Sequence, residues 1–434
     1  MSSALQEENH SMADRPRVVI TGVGAVAPNG IGKDAYWEGL LKGRSGIRRI
    51  SRFDASKFPC QIAGEVNDFQ PAAYIDPHDV KRLSRVSQLA LVAAKMAVKD
   101  SAMQVTKANA GRVGVCFGTS AGKLEVFETD YLSFMEHGIR GIHPLTHNQF
   151  HPHSVSSRIA IEIGAGGICG SVATGCTSGL DALNWGYEQI CQGRAAVMVV
   201  GSAEALLSQF AFASICAAGV LSKNTVTKSN TPPEKSPRPF DLHRDGLVLS
   251  EGAGAVVLEA LEHAQDRGAD IYADVLGYGT ARDGSDLLRC DVSGADMARV
   301  MEIAMYQSHL PKSCIDYISA HGVGLRDYDA AETAAIKTVF GEQAYNIPVS
   351  SIKSMIGQPF SAGGSLQIVA SCLTLQHSRI PPTINYHTPD PACDLDYVPQ
   401  RARAARIRAL LVHAHGLGGT DSALVLGKCA PSWE

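Results

Sequence analysis

One cysteine in this chain sits in a setting suited to nucleophilic chemistry. Residues 171–183 read SVATGCTSGLDAL: β-branched residues run into small ones, then into a helical pattern with apolar Leu180, Leu183 and Tyr187. Cys176 therefore falls at a strand-to-helix elbow. Free N–H groups and the positive end of the helix dipole there favour the thiolate, the nucleophilic form of sulfur. A structural thiol in a tight turn is the simpler account of an isolated cysteine. The small residues on both sides leave room for a substrate and favour the nucleophile.

A sulfur nucleophile needs partners for protons and developing charge, and these usually come from distant sequence. Residues 318–322 (ISAHG) form a short apolar strand ending in His321. Asp329 and Glu332 follow, three apart on a helical stretch, so both can face one site. Residues 349–358 (VSSIKSMIGQ) put Lys353 at a second strand end, where it can pair with Glu332, ahead of a Gly-bounded turn and Gln358. Residues 411–421 (LVHAHGLGGTD) are a Gly-rich loop behind a buried strand. Its N–H groups can polarise a thioester carbonyl, although a plain tight turn fits the loop equally well by itself.

The elements that must hold these residues alternate between apolar strands, Gly-rich turns and helices, beginning at Arg17 after a polar tail read as disordered over 1–16. Residues 111–118, 194–201 and 252–259 read as further buried strands, so a mixed, mostly covered sheet is expected. Residues 222–239 are polar and Pro-rich, an exposed connection. After Glu259 a helical stretch leads into residues 271–279 and the alternation restarts, so the second half reads as a weak variation on the first. We place the boundary near 265, giving halves 17–265 and 266–434. Residues 21–27 (TGVGAVA) fit the dinucleotide fingerprint only superficially, because Pro28 and Gly30 interrupt the helix that a pyrophosphate needs. Their glycines are read as a turn.

With 434 residues, 45% hydrophobic and 19% charged, the chain can bury a large core. The formal net charge of −4 gives no broad basic surface for nucleic acid. The first residues lack the apolar core of a secretion signal, and no apolar run reaches the ~20 residues of a membrane span, so a cytoplasmic location is expected. The 11 cysteines show no CxxC and no Cys/His cluster at metal spacing, which argues against a disulfide framework and a metal site.

Taken in order, these stretches, together with PRPFDLHRDG at 237–246, EGAG at 251–254, PPTIN at 381–385 and CDLDYVP at 393–399, resemble the elongating β-ketoacyl-acyl-carrier-protein synthases of fatty-acid and type II polyketide synthesis, within the thiolase superfamily. The resemblance spans about Arg17 to Lys428. It implies a five-layer αβαβα fold of two similar halves, an obligate dimer that is either homomeric or a ketosynthase-like heterodimer, and an acyl carrier protein as partner. No bound cofactor is implied, because the substrates ride on the carrier's phosphopantetheine. By position, Cys176 matches the nucleophile and His321 the first active-site histidine. Lys353, Asp329 and Glu332 match the supporting ionic residues, and the N–H groups of Cys176 and His415, beside Gly416, match the oxyanion donors. Lys81, Arg82 and Arg85 occupy a region that relatives use for carrier docking.

The departures from that pattern concern the second half of the reaction. Gln358 stands where the elongating enzymes carry a second histidine; an amide donates a hydrogen bond but carries neither proton nor charge. The initiating branch of the superfamily has an amide at that place, in a Cys-His-Asn set. Val323 and Leu325 replace two threonines that meet the pantetheine arm. His415 stands where a gating Phe is common, and Ala121 where a bulky aliphatic limits chain length. These changes imply an altered, more polar acyl pocket and a specialised acyl group. Two competing readings remain: an acyltransferase that loads Cys176 without forming a carbon-carbon bond, and a partner subunit like the chain-length factors, against which the presence of Cys176 argues.

Overall fold

The computed structural model describes residues 15–223, 231–283 and 290–429. Most of the tail expected at 1–16 and the middle of the connection expected at 222–239 lie outside the described residues.

Besides a two-residue strand, Gly30–Ile31, ten strands make the main sheet: β1 (Val18–Ala27), β2 (Val113–Gly118), β3 (Cys169–Val172), β4 (Val197–Glu204), β5 (Gly252–Ala260), β6 (Ala273–Arg282), β7 (Ile315–Ser319), β8 (Val349–Ser350), β9 (Ala409–His415) and β10 (Thr420–Gly427); the short strand pairs with the end of β1. Their spatial order is β8-β7-β9-β10-β6-β1-β5-β4-β2-β3. Read outward from the centre, β1-β5-β4-β2-β3 and β6-β10-β9-β7-β8 are one topology used twice. In each half the inner pairings are antiparallel and the outer two parallel. The halves meet where Val19 and Ile20 pair with Asp274 and Ala273.

Five helices build the layers: α1 (Arg85–Asp100), α2 (Ser178–Cys191), α3 (Ala295–Ser308), α4 (Arg326–Phe340) and α5 (Ala362–His377). α1 covers β1, β5 and β4 from outside; α3, with α4 against it, covers β6 and β10; α2 and α5 pack on each other between the two half-sheets. Every residue of α5 from Ala362 to Leu375 is buried. Its sequence has almost no polar stripe because it is covered on all sides, as a central layer requires.

Gly22 and Gly24, expected in a turn, lie inside the fully buried strand β1. A Cβ at Gly24 would stand 2.1 Å from the Ala93 carbonyl oxygen, and one at Gly22 2.3 Å from that of Ala97, so the glycines let α1 approach the sheet. Gly277 and Gly279 in β6 do the same for α3, with the Ala304 and Val300 carbonyls at 2.2 and 2.1 Å. The shared Gly-x-Gly is thus a packing signature that recurs in both halves.

Candidate active site

The chain leaves β3, makes one 3-10 turn over Gly175–Thr177 and enters α2. Gly175 takes φ 71°, a left-handed conformation natural to glycine, which turns Cys176 inward to 4% exposure. Asp181, one turn into α2, fixes this elbow. Its Oδ2 accepts from the Thr177 hydroxyl at 3.0 Å and also from Thr174, while Oδ1 accepts from Tyr278 of β6 and Ser422 of β10, each at 2.6 Å. The helix that follows Cys176 is therefore anchored to the second half of the molecule.

Burial pushes the Cys176 thiol up to about 11, against hydrogen bonds from the Leu417 main-chain N–H and the Gln358 side-chain amide and against the Lys353 charge. The thiolate favoured by an elbow in sequence terms is thus disfavoured by the dry surroundings, and the proton must leave during thioester exchange.

β7 delivers His321 just beyond its end, and the carboxylates of α4 hold the following backbone. Glu332 accepts from the N–H groups of His321 and Gly322 at 2.6 and 2.9 Å. Asp329 accepts from those of Phe240, Val323 and Gly324 at 2.8, 3.0 and 3.2 Å, with the Arg244 guanidinium 3.7 Å away. Burial raises Asp329 to about 6 despite Arg244. Lys353 does not pair with Glu332 as expected, since main-chain N–H groups and His413 already occupy that carboxylate. Its ammonium donates instead to the His321 carbonyl at 2.8 Å and to Gln367 Oε1 at 2.9 Å. Burial lowers Lys353 to about 8, opposed by the charge of Glu332. Gln367, a residue sequence reasoning missed, donates in turn to the Ala320 and His413 carbonyls at 3.0 and 3.1 Å, bridging β7 and β9. Its signal was an amide in mid-helix among apolar residues.

Beside the thiol lies a cavity of about 270 Å3 lined by Ala121, Leu124, Leu206, Ile215, Phe360 and Leu417 among others. Ala121 is on its wall. His415 is not: it turns below the loop, with Nδ1 2.5 Å from Asp421 Oδ1. Leu417, two residues on, takes the position over the thiol, because the alternation of β9 points His415 inward before the loop begins. The Gly416 N–H is engaged by the Thr420 carbonyl at 2.8 Å. The polarity expected from His415 is therefore absent, and the lining is mainly aliphatic. Phe360, also missed, lines the cavity at φ 42°, a strained conformation for an aromatic residue. The Val323 side chain is 2% exposed and packed in the core, while Leu325 is half-buried at the start of α4.

Of the three basic residues expected on the surface, Lys81 and Arg82 are exposed. Arg85 is not: its guanidinium turns inward onto Glu251 at 2.7 and 3.1 Å and onto the Val66 carbonyl at 2.8 Å. A buried carboxylate draws it in. No group of metal-ligating side chains stands together among the described residues, and no helix there is long and apolar enough to cross a membrane.

A duplicated thiolase-like sheet with a buried thiol at the elbow of its central helix defines an acyl-transferring enzyme. The chain belongs to the β-ketoacyl synthase family: residues 15–264 match the N-terminal domain of β-ketoacyl synthases and residues 272–387 the C-terminal domain. It is 43% identical over 417 residues to a putative polyketide β-ketoacyl synthase 1 of Streptomyces halstedii, covering 94% of this chain and 97% of the relative. It is 38% identical to the 3-oxoacyl-[acyl-carrier-protein] synthase 2 of Coxiella burnetii, covering 96% and 99%. Among solved structures it is similar to a type II polyketide acyl-carrier protein in complex with its ketosynthase bound to the hexaketide (TM-score 0.89, 33% identity, 96% of this chain and 100% of that one). It is also similar to the ishigamide ketosynthase/chain length factor (TM-score 0.88, 33% identity, 96% and 100%). The chain is thus a condensing enzyme of the β-ketoacyl synthase type.

Proposed function

We propose that the enzyme takes an acyl group from an acyl carrier protein onto Cys176 and extends it with a malonyl-carrier in a specialised polyketide or fatty-acid-like synthesis. The observation that carries this reading is the buried Cys176 thiol at its helix elbow, lining with Leu417 an apolar cavity of about 270 Å3. In the first step the sulfur attacks the thioester carbonyl, the carrier thiol leaves, and the proton of Cys176 passes to it. The main-chain N–H groups of Cys176 and Leu417 receive the developing oxyanion. In the second step the malonyl carbon-carbon bond breaks and carbon dioxide departs. The resulting enolate attacks the acyl carbonyl, and the Cys176 thiolate is expelled. The neutral His321 ring and the Gln358 amide donate to the enolate oxygen, Gln358 serving where relatives use a second histidine.

Lys81 and Arg82 present positive charge to an acidic carrier. Helix Leu124–His137 and its neighbours expose Phe127, Leu132, Met135, Ile139, Ile161 and Phe210; Ile139 is 84% exposed, an apolar face that supports pairing with a second subunit. A cytoplasmic location follows from a carrier-dependent substrate. The halves divide near residue 265, between β5 and β6.

The test is to incubate the protein with acyl carriers of differing chain, weigh the intact chain, then add malonyl carrier and follow carbon dioxide and β-keto product. Acylation lost in Cys176→Ala and carbon dioxide coupled to product support the reading. Acylation without carbon-carbon bond formation overturns it in favour of simple transfer.

A further inference from the structure

β9 carries His413 and His415 two residues apart, so both side chains leave the same face of the sheet. His415 stands directly across the ladder from Asp421 of β10, and Glu332 reaches the same place from α4. The four side chains form a buried chain in which carboxylates alternate with imidazoles. Glu332 Oε1 is 2.6 Å from His413 Nδ1, His413 Nε2 is 3.6 Å from Asp421 Oδ1, and Asp421 Oδ1 is 2.5 Å from His415 Nδ1. The 3.6 Å contact exceeds hydrogen-bond length, so Asp421 acts on His413 there through its charge. None of the thioester steps above calls on His413.

We propose that this chain is a positioning device that keeps the His321 ring uncharged through the catalytic cycle, an inference that rests on His321 belonging to the active site. The ring lies edge-on to both other imidazoles, with centroids 6.5 Å from His413 and 6.1 Å from His415. Lys353, from the turn after β8, adds a cation on its own side. Glu332, the carboxylate that holds the ring's own backbone, is engaged by two main-chain N–H groups and by His413. Asp329 is engaged by the loop it holds, Cys176 is a thiol in the resting enzyme, and the Tyr328 ring meets His415 edge-on at 4.8 Å. His321 Nδ1 is thus buried with no partner among the described residues. A dry ring flanked by positive charge and offered no carboxylate resists a second proton. Consistently, burial together with Lys353, His415 and His413 holds His321 well below the ordinary histidine value, while the carboxylates raise His413 to about 9 in spite of its own burial.

The consequence is chemical. A neutral imidazole can donate through one nitrogen and accept through the other, and it keeps both capacities at pH values where an ordinary histidine is charged. Of the two proposed enolate donors, Gln358 is a neutral amide, so only His321 can also accept a proton.

The experiment is a histidine NMR titration of the full-length protein, the His321 signal being assigned by its loss in His321→Asn. His413→Gln keeps a donor for Glu332 and removes the charge. The wild-type ring is expected to titrate well below the ordinary histidine range, and His413→Gln to raise its midpoint by about one unit or more. The acid limb of carbon dioxide release from malonyl carrier, the step in which His321 acts, moves by the same amount. An unchanged His321 midpoint in a folded His413→Gln protein overturns the proposal. Should that variant not fold, His415→Phe leaves the Glu332–His413 pair in place and is expected to raise the midpoint too; no change there overturns it equally. Because the titration reads the ring and not turnover, a failure of the proposed condensation leaves a separate mark.

Discussion

Replacing Gln358 with leucine separates the two halves of the reaction. In the wild type the Gln358 amide lies close enough to the Cys176 thiol to favour its ionised form, while its Oε1 is buried with no hydrogen-bond partner among the described residues. Leucine has nearly the same volume and no polar atom. It removes the weak polar contact of that amide with sulfur, worth about 1 kcal/mol at most, and also removes an orphaned acceptor whose burial costs about 1–3 kcal/mol. Stability therefore stays level or rises by up to about 2 kcal/mol. Catalysis behaves differently. Loss of one preorganised donor at an oxyanion costs about 3 kcal/mol, a fall of roughly 150-fold, and in the proposed mechanism that donor serves the enolate. Loading of Cys176 uses the main-chain N–H groups and should slow by about fivefold at most, the equivalent of the lost contact with sulfur. Intact-mass kinetics of acylation, carbon dioxide release from malonyl carrier and thermal unfolding give the three readouts on one preparation. Equal losses in loading and carbon dioxide release, or a loss in neither, would refute the assignment of Gln358 to the enolate.

Gly24→Val places a side chain where the Ala93 carbonyl already stands 2.1 Å from a Cβ; overpacking of about 3 kcal/mol or more should separate α1 from β1 and appear as loss of soluble, cooperatively melting protein. The equivalent Gly279→Val should do the same to α3, because the clash there is as close. His413 is raised from 6.5 to about 9 in the folded state, so its contribution is fully present below pH 6.5 and is lost as pH rises through about 9. That contribution is on the order of 3 kcal/mol, and urea midpoints should fall across this window in the wild type and be flatter in His413→Gln. Glu332 and Asp421 are held below the ordinary carboxylate range, so their contribution runs the opposite way, present above pH ~4.5 and lost on acidification. Charge reversal at Lys81 and Arg82 should weaken carrier binding with little change in melting temperature. Arg85→Ala should instead destabilise the fold by about 3–5 kcal/mol, since it leaves buried Glu251 without that partner.

The sequence by itself determined the candidate nucleophile and the order of its candidate partners. The elbow of Cys176, the strand-end His321, the i,i+3 pair Asp329 and Glu332, and Lys353 are set by local patterns, because strand and helix periods fix which residues share a face. The duplication was only faintly legible. Its clearest mark, Gly-x-Gly at 22–24 and 277–279, looks like a nucleotide turn until the carbonyls of α1 and α3 are seen against it. Tertiary structure alone decided three matters. Arg85 turns inward because Glu251 waits 166 residues away. Leu417, and not His415, faces the thiol because the strand's alternation runs two residues further than the loop's composition shows. Lys353 leaves Glu332 to His413 because the backbone and a second imidazole claim that carboxylate first. In each case the deciding partner comes from a distant segment, and desolvation, which local sequence does not encode, sets which partnership forms and which proton stays.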